Sequence, residues 1–393
     1  MAVPPSPALP VTAHCAGNAL GVTTLSVIGA LEAGRTGLSR SLADPAHEMV
    51  LGEFPCPPEP PPAALRTFDT RLVRISLMVL EEIVPQVERA VARLGADRVA
   101  VVLGTSTGGI RESEEAYAAW STRGSLPDGF SLMNRHSFNG LLGAVRARTG
   151  IRGPGYVVAT ACSSSAEAIA TARRMILSGV ADAVLCGGAD TLCTTTLRGF
   201  RSLEALSPGG CRPFSAGRDG LTLGEGAAFL LLEREGDGPA WLLGAGESSD
   251  AHHMSHPHPE GLGARLAMKD ALAQAGLDPS AVDHVNAHGT GTPANDVVEA
   301  AAIGEVVGNR VPVASTKGYT GHLLGAAGAT EAVLAIASIT RGFIPRSLGA
   351  SPLDPAIAAA IATESLRRPV RTVLSNSFAF GGANVSLLLG AGR

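Results

Sequence analysis

The chain alternates between short, continuously apolar runs and longer segments in which apolar residues recur at helical spacing. The run Val99–Gly104 is apolar throughout and ends at glycine, which predicts a strand buried on both faces. The same reasoning predicts further strands at 155–161, 183–186, 227–233, 282–287, 311–315, 372–375 and 384–389, and helices at 25–33, 70–95, 163–177, 261–274, 295–306 and 323–340. Strands that alternate with helices predict an α/β fold built in layers.

Residues 1–62 show no comparable pattern apart from the helix at 25–33, and the proline-dense stretch 54–62 predicts an extended surface loop. Farther along, predicted strands stop at polar turns in both halves of the chain. The first half contains ATACSSS, and the second contains VNAHGTGTP, ASTKGYTGH and SNSFAFGG. These matching strand ends predict two related halves within one fold.

Composition narrows the class of protein. Hydrophobic residues make up 45% of the 393 positions, charged residues only 17%, and the formal net charge is −4. This balance permits a large core and argues against a general nucleic-acid binder. No apolar run is long enough for a membrane span, and no signal peptide is evident. The six cysteines form no CxxC pair, so we expect reduced thiols and a cytoplasmic location.

Cys162 lies where a predicted strand meets a predicted helix. At a helix N-terminus the dipole favours the thiolate, so the sequence predicts a lowered pKa for this thiol. Small alanine and serine neighbours leave room for a substrate. A buried structural cysteine is the alternative, and the strand–cysteine–helix junction makes the two interpretations about equally good.

Two histidines lie at similar junctions. His288 follows a strand and precedes a Gly/Thr loop, and His322 lies in a loop five residues after Lys317. A lone histidine is more often structural, but two at such positions favour a reactive site. Phe380 precedes two glycines, which predicts a tight turn whose backbone N–H groups are free to stabilise an oxyanion.

Four long motifs, in this order, resemble those of the β-ketoacyl-acyl carrier protein synthases of the I/II type: ATACSSS, NAHGTGTP, STKGYTGHLLGAAGATE and NSFAFGGANV. The resemblance extends over roughly residues 95–390. It implies a thiolase-like fold of two pseudo-symmetric halves in five α-β-α-β-α layers, with residues 1–240 carrying the cysteine and 241–393 the two histidines. It also implies decarboxylative Claisen condensation and a dimer.

The resemblance assigns chemical roles residue by residue. Cys162 would be the acylated nucleophile, with the backbone N–H groups of Cys162 and Phe380 as oxyanion donors. His288 and His322 would donate to the malonyl thioester carbonyl. Lys317 would orient His322, and Glu331 would pair with Lys317.

Other positions would support the site. The carrier protein would bring its own 4′-phosphopantetheine, so no resident cofactor or metal is implied. An acidic carrier protein would contact a basic surface. The resemblance makes Asp296 and Glu299 bracing residues, Thr290 and Thr292 contacts of the phosphopantetheine arm, Phe380 a gate, Thr107 and Phe200 acyl-pocket residues, and Arg66, Arg71 and Arg74 carrier contacts.

Several alternatives remain at this stage. A thiolase needs a second cysteine near its C-terminus, and none follows Cys211. A non-catalytic chain-length factor would lack the nucleophilic cysteine, which this chain has as Cys162. The dimer partner that the resemblance implies is either such a chain-length-factor-like subunit or a second copy of this chain. A dense group of histidines, His252, His253, His256 and His258, offers metal ligands. The motifs resemble ketosynthases of aryl polyene pathways most, with fatty-acid elongation as the alternative.

Overall fold

A computed structural model describes residues 5–44 and 46–392. Over these residues the chain forms fourteen strands, ten of which belong to one mixed sheet. In chain order the strands are β1 (Leu9–Asn18), β2 (Ser39–Asp44), β3 (His47–Leu51), β4 (Val99–Gly104), β5 (Gly155–Val158), β6 (Ala183–Asp190), β7 (Gly226–Glu233), β8 (Ala240–Ser249), β9 (His284–Asn286), β10 (Val313–Ala314), β11 (Phe343–Ile344), β12 (Leu366–Arg367), β13 (Thr372–Phe378) and β14 (Ala383–Gly390).

Eleven α-helices connect these strands within the same described ranges. They are α1 (Thr24–Glu32), α2 (Arg71–Leu80), α3 (Val84–Leu94), α4 (Ile110–Arg123), α5 (Asn139–Thr149), α6 (Ser164–Leu177), α7 (Thr194–Ser202), α8 (Leu262–Ala275), α9 (Pro293–Val307), α10 (Lys317–Thr320) and α11 (Ala327–Arg341). None of the described helices is both long enough and apolar enough to cross a membrane.

The large sheet repeats one topology twice. Its order is β10-β9-β13-β14-β8-β1-β7-β6-β4-β5, so each half has five strands. If the strands of each half are numbered from its own start, both halves run 3-2-4-5-1 from the edge inward. The outer pairs are parallel and the inner pairs antiparallel in both halves, and β1 pairs with β8 where the halves meet. The two pseudo-symmetric halves that the resemblance implies are therefore confirmed.

Three apolar clusters separate the layers. The helices α2, α3 and α5 cover one face of the first half-sheet, and α8 and α9 cover the outer face of the second. The alanine-rich helices α6 and α11 lie between the two half-sheets, where strands of both halves contact them. Small side chains allow these two central helices to approach strands on both sides closely. The arrangement is the five-layered α-β-α-β-α fold, as expected.

The predicted elements from residue 70 onward are confirmed, with shifts of at most four residues at their ends, except that the single helix predicted over 70–95 is divided into α2 and α3. The prediction that residues 1–62 are largely irregular is wrong, because β1 is a central strand of the sheet and β2 pairs with β3. Residues 1–4 of that stretch lie outside the described ranges. The predicted boundary between residues 240 and 241 falls at the start of β8.

Candidate active site

Cys162 lies in a single turn between β5 and α6. The preceding residue, Ala161, has a φ of 50°, a left-handed conformation that L-residues with a side chain rarely adopt. Two serine hydroxyls lie close to the Ala161 carbonyl oxygen, that of Ser164 at 2.6 Å and that of Ser106 at 3.2 Å. This strained turn directs Cys162 into the protein, where 5% of the residue is exposed.

The pKa of Cys162 differs from the sequence-based prediction. Burial raises the pKa of this thiol to about 11, and the negative charge of Asp190 contributes in the same direction. The backbone N–H of Phe380 and the charge of Lys317 lower the pKa, but they do not outweigh burial. The predicted decrease is therefore wrong for the free protein, because loss of hydration costs the thiolate more than nearby dipoles return.

We expect alkylation of Cys162 by iodoacetamide to accelerate continuously from pH 8 to pH 10, by about tenfold per pH unit, because only the thiolate reacts. An ordinary thiol, with a pKa of about 8.5, would approach its maximal rate by about pH 9.5. Peptide-level mass spectrometry separates this reaction from that of the partly exposed Cys56. A plateau at Cys162 below pH 9 would contradict the raised pKa.

His288 is held by the backbone of its own loop. Glu299, on α9, accepts hydrogen bonds from the backbone N–H groups of His288 and Gly289, each at 2.7 Å. Burial raises the pKa of Glu299 to about 7, although these two donors lower it. Asp296 similarly accepts from Gly291 N at 3.1 Å and from a second backbone N–H, that of Phe214, at 2.7 Å. Both carboxylates therefore brace the loop after β9.

The two histidine rings meet inside the protein. The ring centroids of His288 and His322 lie 5.2 Å apart, and the ring planes are nearly perpendicular. Burial lowers the pKa of both imidazoles well below the usual value, and the Lys317 charge lowers them further. Both rings are therefore neutral at physiological pH. Neither ring nitrogen of His322 has a hydrogen-bond partner among the described residues.

Lys317 is hydrogen-bonded to His288 and, among the described contacts, not to His322. Its Nζ lies 2.5 Å from Glu331 Oε1 and 3.4 Å from His288 Nδ1. The expected pairing with Glu331 is present, but the expected orientation of His322 by Lys317 is not. Because an ammonium group can only donate, His288 accepts at Nδ1 and carries its proton on Nε2. That tautomer leaves an N–H donor at the other end of the ring for a substrate.

A cavity of about 400 Å³ opens beside Cys162. Two aromatic rings, those of Phe200 and Phe380, stack at its wall with centroids 5.8 Å apart. The hydroxyl groups of Thr290 and Thr292 are hydrogen-bonded to each other at 2.9 Å. Seven residues that the sequence singled out line this cavity: Cys162, Phe200, His256, His288, Thr290, Thr292 and Phe380.

Thr107 lies apart from this cavity. The hydroxyl group of Thr107 donates to Asp190 at 2.6 Å, and the side chain is buried. Its assignment to an acyl pocket stays a prediction. Asp190 itself was not found from the sequence, because the predicted strand 183–186 stopped too early. A carboxylate at the end of a run of seven apolar or glycine residues, 183–189, was the available signal.

Of the three arginines predicted to form a basic surface for the carrier protein, two are held in ion pairs within the protein. Arg71 forms an ion pair with the buried carboxylate of Glu225, with Nε 3.0 Å from Oε2. Arg74 makes a two-point ion pair with Asp69. The Arg71 guanidinium compensates a carboxylate inside the protein, and its assignment to carrier binding stays a prediction. Arg66 is exposed, and its side chain has no partner among the described residues.

We expect Arg71→Ala to lower the free energy of unfolding by about 3 kcal/mol, because Glu225 would remain buried without its counter-charge. Denaturant unfolding monitored by circular dichroism measures the change. Arg66→Ala is the control and should leave stability within about 0.5 kcal/mol of the parent protein. An effect below about 1 kcal/mol for Arg71→Ala would show that Glu225 is satisfied in another way.

The histidine group lies in the loop after β8, at the rim of the same cavity. His253 and His256 face each other with their Nδ1 atoms 3.1 Å apart, and His252 packs against His258. Within the described ranges, no group of three or more His, Cys, Asp or Glu side chains is arranged to hold a metal ion. Gly381 N donates to the Met254 carbonyl at 2.8 Å, which ties this loop to the turn that carries Phe380.

Comparison with known families and proteins agrees with this geometry. Residues 64–238 match the family model "Beta-ketoacyl synthase, N-terminal domain", and residues 240–351 match "Beta-ketoacyl synthase, C-terminal domain". A 3-oxoacyl-[acyl-carrier-protein] synthase 2 from Coxiella burnetii is 37% identical over 75% of each chain. The enzyme of the same name from Mycobacterium bovis is 34% identical over 89% of each chain.

Solved structures show the same architecture. The ketosynthase ApeO from Xenorhabdus doucetiae, solved in complex with its chain length factor ApeC, superposes with a TM-score of 0.93 at 39% identity, over 98% of each chain. The ishigamide ketosynthase/chain length factor gives a TM-score of 0.87 at 27% identity, over 98% of this chain and 99% of that one. This protein therefore belongs to the β-ketoacyl synthase family and is an acyltransferase of the 3-oxoacyl-[acyl-carrier-protein] synthase type.

Proposed function

We propose that Cys162 is the nucleophile that takes an acyl chain from an acyl carrier protein. Its sulfur attacks the thioester carbonyl, a new S–C bond forms, and the bond to the phosphopantetheine sulfur breaks. The Cys162 proton passes to that leaving sulfur. The backbone N–H groups of Cys162 and Phe380 are the donors available to the oxyanion of the tetrahedral intermediate.

In the second step a malonyl thioester places its carbonyl oxygen against His288 and His322. Loss of CO2 leaves an electron pair on the α-carbon, and the enolate oxygen accepts hydrogen bonds from the two imidazoles. The α-carbon then forms a C–C bond with the acyl carbonyl, and Cys162 leaves as a thiolate. The low pKa values of both histidines support this role, because neutral imidazoles donate without a metal.

One observation carries the proposal. Three residues line a single cavity: Cys162 with its buried thiol, Phe380 with a backbone N–H directed at the Cys162 sulfur, and His288 with a neutral imidazole. The cavity rim also presents the paired hydroxyls of Thr290 and Thr292, suited to polar groups of a phosphopantetheine arm. That arm belongs to the carrier protein, so the reaction proposed needs no cofactor resident in this chain.

We propose further that the acyl chain is a polyene, as in aryl polyene pathways. The motif resemblance to aryl polyene ketosynthases supports this choice over fatty-acid elongation. ApeO, at 39% identity over nearly the whole chain, and the ishigamide enzyme are likewise ketosynthases solved with a chain length factor. The relatives named 3-oxoacyl-[acyl-carrier-protein] synthase 2 support the alternative. The two pathways use the same chemistry on chains of different stiffness.

The test supplies saturated, polyenoyl and arylpolyenoyl carrier proteins together with malonyl-carrier protein, and reads the products by mass. We expect the polyenoyl carriers to give the fastest extension. Extension of saturated chains at an equal or greater rate would overturn the polyene assignment and leave the condensation itself intact. Failure with every acyl group, at demonstrated folding, would overturn the proposed function.

The partner is proposed to be a chain-length-factor-like subunit, with a second copy of this chain as the alternative. β5 is an edge strand of the sheet, and Tyr156 on it is 43% exposed. Leu132 and Met133, more than 60% exposed, are also large apolar side chains open to solvent in the first half. Size-exclusion chromatography with light scattering, with and without a co-expressed partner, separates a homodimer from a heterodimer.

A further inference from the structure

We infer that Asp190 is a positioning residue that sets the nucleophile turn and the segment after His322 in one fixed arrangement. This inference rests on the roles proposed above for Cys162 and His322. Asp190 is the last residue of β6 and is completely buried. It does not line the cavity beside Cys162, so it acts through neighbouring groups and not on the substrate.

The Asp190 carboxylate is held by hydrogen bonds alone. No lysine, arginine or histidine nitrogen of the described ranges forms an ion pair with it. A buried carboxylate without a counter-charge is costly unless donors surround it. Six donors do so, at 2.6 to 3.1 Å: the hydroxyl groups of Thr105, Ser106 and Thr107, and the backbone N–H groups of Ser106, Thr107 and Gly325.

The first group of contacts leads to the nucleophile. Asp190 accepts from the Ser106 backbone N–H, and the single hydroxyl hydrogen of Ser106 is shared between Asp190 Oδ2, at 2.9 Å, and the Ala161 carbonyl oxygen, at 3.2 Å. Ala161 is the residue in the left-handed conformation immediately before Cys162. A strained residue persists only where its surroundings hold it. Asp190 therefore supports the turn that aims Cys162.

The second group of contacts leads to His322. Gly325 N donates to Asp190 Oδ2 at 2.6 Å, and a Cβ at Gly325 would lie only 2.7 Å from that oxygen. Leu324, just before this glycine, has a φ of 51° and is a second strained residue. Since neither ring nitrogen of His322 is bonded to the protein, the backbone around it must set the position of the ring.

One carboxylate thus lies between two strained turns, one before Cys162 and one after His322. The reaction requires the sulfur and the histidine donors at a fixed separation, and displacement of reacting groups by about 1 Å can cost about a hundredfold in rate. Asp190 also acts on the thiol through its charge, which adds to the effect of burial in raising the pKa of Cys162. Removing this charge should therefore make the thiol more reactive while condensation becomes slower.

The experiment is Asp190→Asn, which keeps size and removes the charge. An amide nitrogen would face N–H donors where an oxygen accepted before. We expect kcat for condensation to fall by about 10- to 100-fold, with KM for malonyl-carrier protein within about twofold of the parent value. The pH profile for alkylation of Cys162 by iodoacetamide should shift to lower pH. A purely structural role would lower both rates together, in proportion to the folded fraction.

Glu233→Gln is the matched control. Glu233 is a buried carboxylate on β7. It pairs with Ala183, at the end of β6 opposite to Asp190, accepts a hydrogen bond from the Thr12 hydroxyl group and forms an ion pair with Arg93. Its substitution should alter the melting temperature and leave both kcat and the alkylation profile unchanged. Condensation by Asp190→Asn at the parent rate, or an unshifted alkylation profile, would overturn the inference.

A second variant tests the inference if Asp190→Asn does not fold. Ser106→Ala keeps the carboxylate and removes only the hydroxyl beside Ala161. We expect acylation of Cys162 to slow by about 3- to 10-fold, with decarboxylation of malonyl-carrier protein unchanged. Unchanged acylation would overturn the link to the nucleophile. If instead Cys162→Ala itself condenses substrates, the proposed function fails, independently of Asp190.

Discussion

Replacing Cys162 by Ala is expected to abolish condensation, with a residual rate at least ~10⁴-fold below that of the parent protein. The substitution removes the sulfur atom that we propose forms the acyl thioester, and the two histidines cannot replace it. Intact-mass analysis after incubation with an acyl-carrier protein should show one added acyl group on the parent protein and none on the variant. Decarboxylation of malonyl-carrier protein should persist, because we assign that step to His288 and His322.

Cys186→Ala provides the control for this prediction. Cys186 lies on β6, is completely buried in an apolar cluster, and has its Sγ 3.6 Å from the Leu230 carbonyl oxygen. Its removal costs some stability through the cavity it leaves, but the variant should become acylated and condense normally. Full condensation by Cys162→Ala, or acylation at another residue, would contradict the role proposed for Cys162.

Replacing either histidine by alanine should slow decarboxylation and leave acyl transfer largely intact, which is the reverse of the effect expected for Cys162→Ala. We expect His288→Ala and His322→Ala each to slow decarboxylation and condensation by about 10²- to 10³-fold, the usual effect of removing one oxyanion donor. Transfer of the acyl chain to Cys162 should be affected much less. Release of CO2 from malonyl-carrier protein and the mass of the acylated protein measure the two steps independently.

The environments of the two rings predict a further difference. His288 is oriented by Lys317 and His322 by no side chain, so Lys317→Ala should impair the His288 function more. The double variant His322→Ala/Lys317→Ala should therefore condense more slowly than His322→Ala alone. His14→Gln is the control, since burial also depresses the pKa of His14, to about 4, on a strand outside the cavity lining. Equal losses of acyl transfer and decarboxylation in the histidine variants would contradict the assignment.

Several features of the fold follow from local sequence pattern. Buried strands such as β4 and β7 are continuous apolar runs, and α6 and α11 combine helical spacing with small residues. The strands β1 and β8 were missed because prolines and glycines interrupt their pattern. Both are nevertheless the innermost strands, where they pair with each other and join the half-sheets. Their strand conformation is stabilised by pairing with a neighbouring strand on each side, and the local sequence carries no information about these neighbours.

The pKa of Cys162 and the ion pairing of Arg71 could be determined only from the tertiary structure. The sequence placed Cys162 at a helix start and so predicted a lowered pKa, but burial reverses the direction. The basic segment at 66–74 suggested a free surface, whereas Arg71 compensates Glu225, more than 150 residues away in the chain. Hydration and long-range pairing depend on which segments pack together, so a linear pattern cannot supply them.

The sequence by itself singled out the residues that we propose carry the chemistry, because Cys162, His288, His322 and Phe380 each lie in a local motif that the strand and turn pattern and the family resemblance both identify. Only the tertiary structure decided how these groups are held and charged. It places Lys317 on His288, leaves His322 without a side-chain partner, and sets Asp190 between the two strained turns. These contacts join segments far apart in the chain, and a buried charge is stabilised only by donors that the completed fold brings to it.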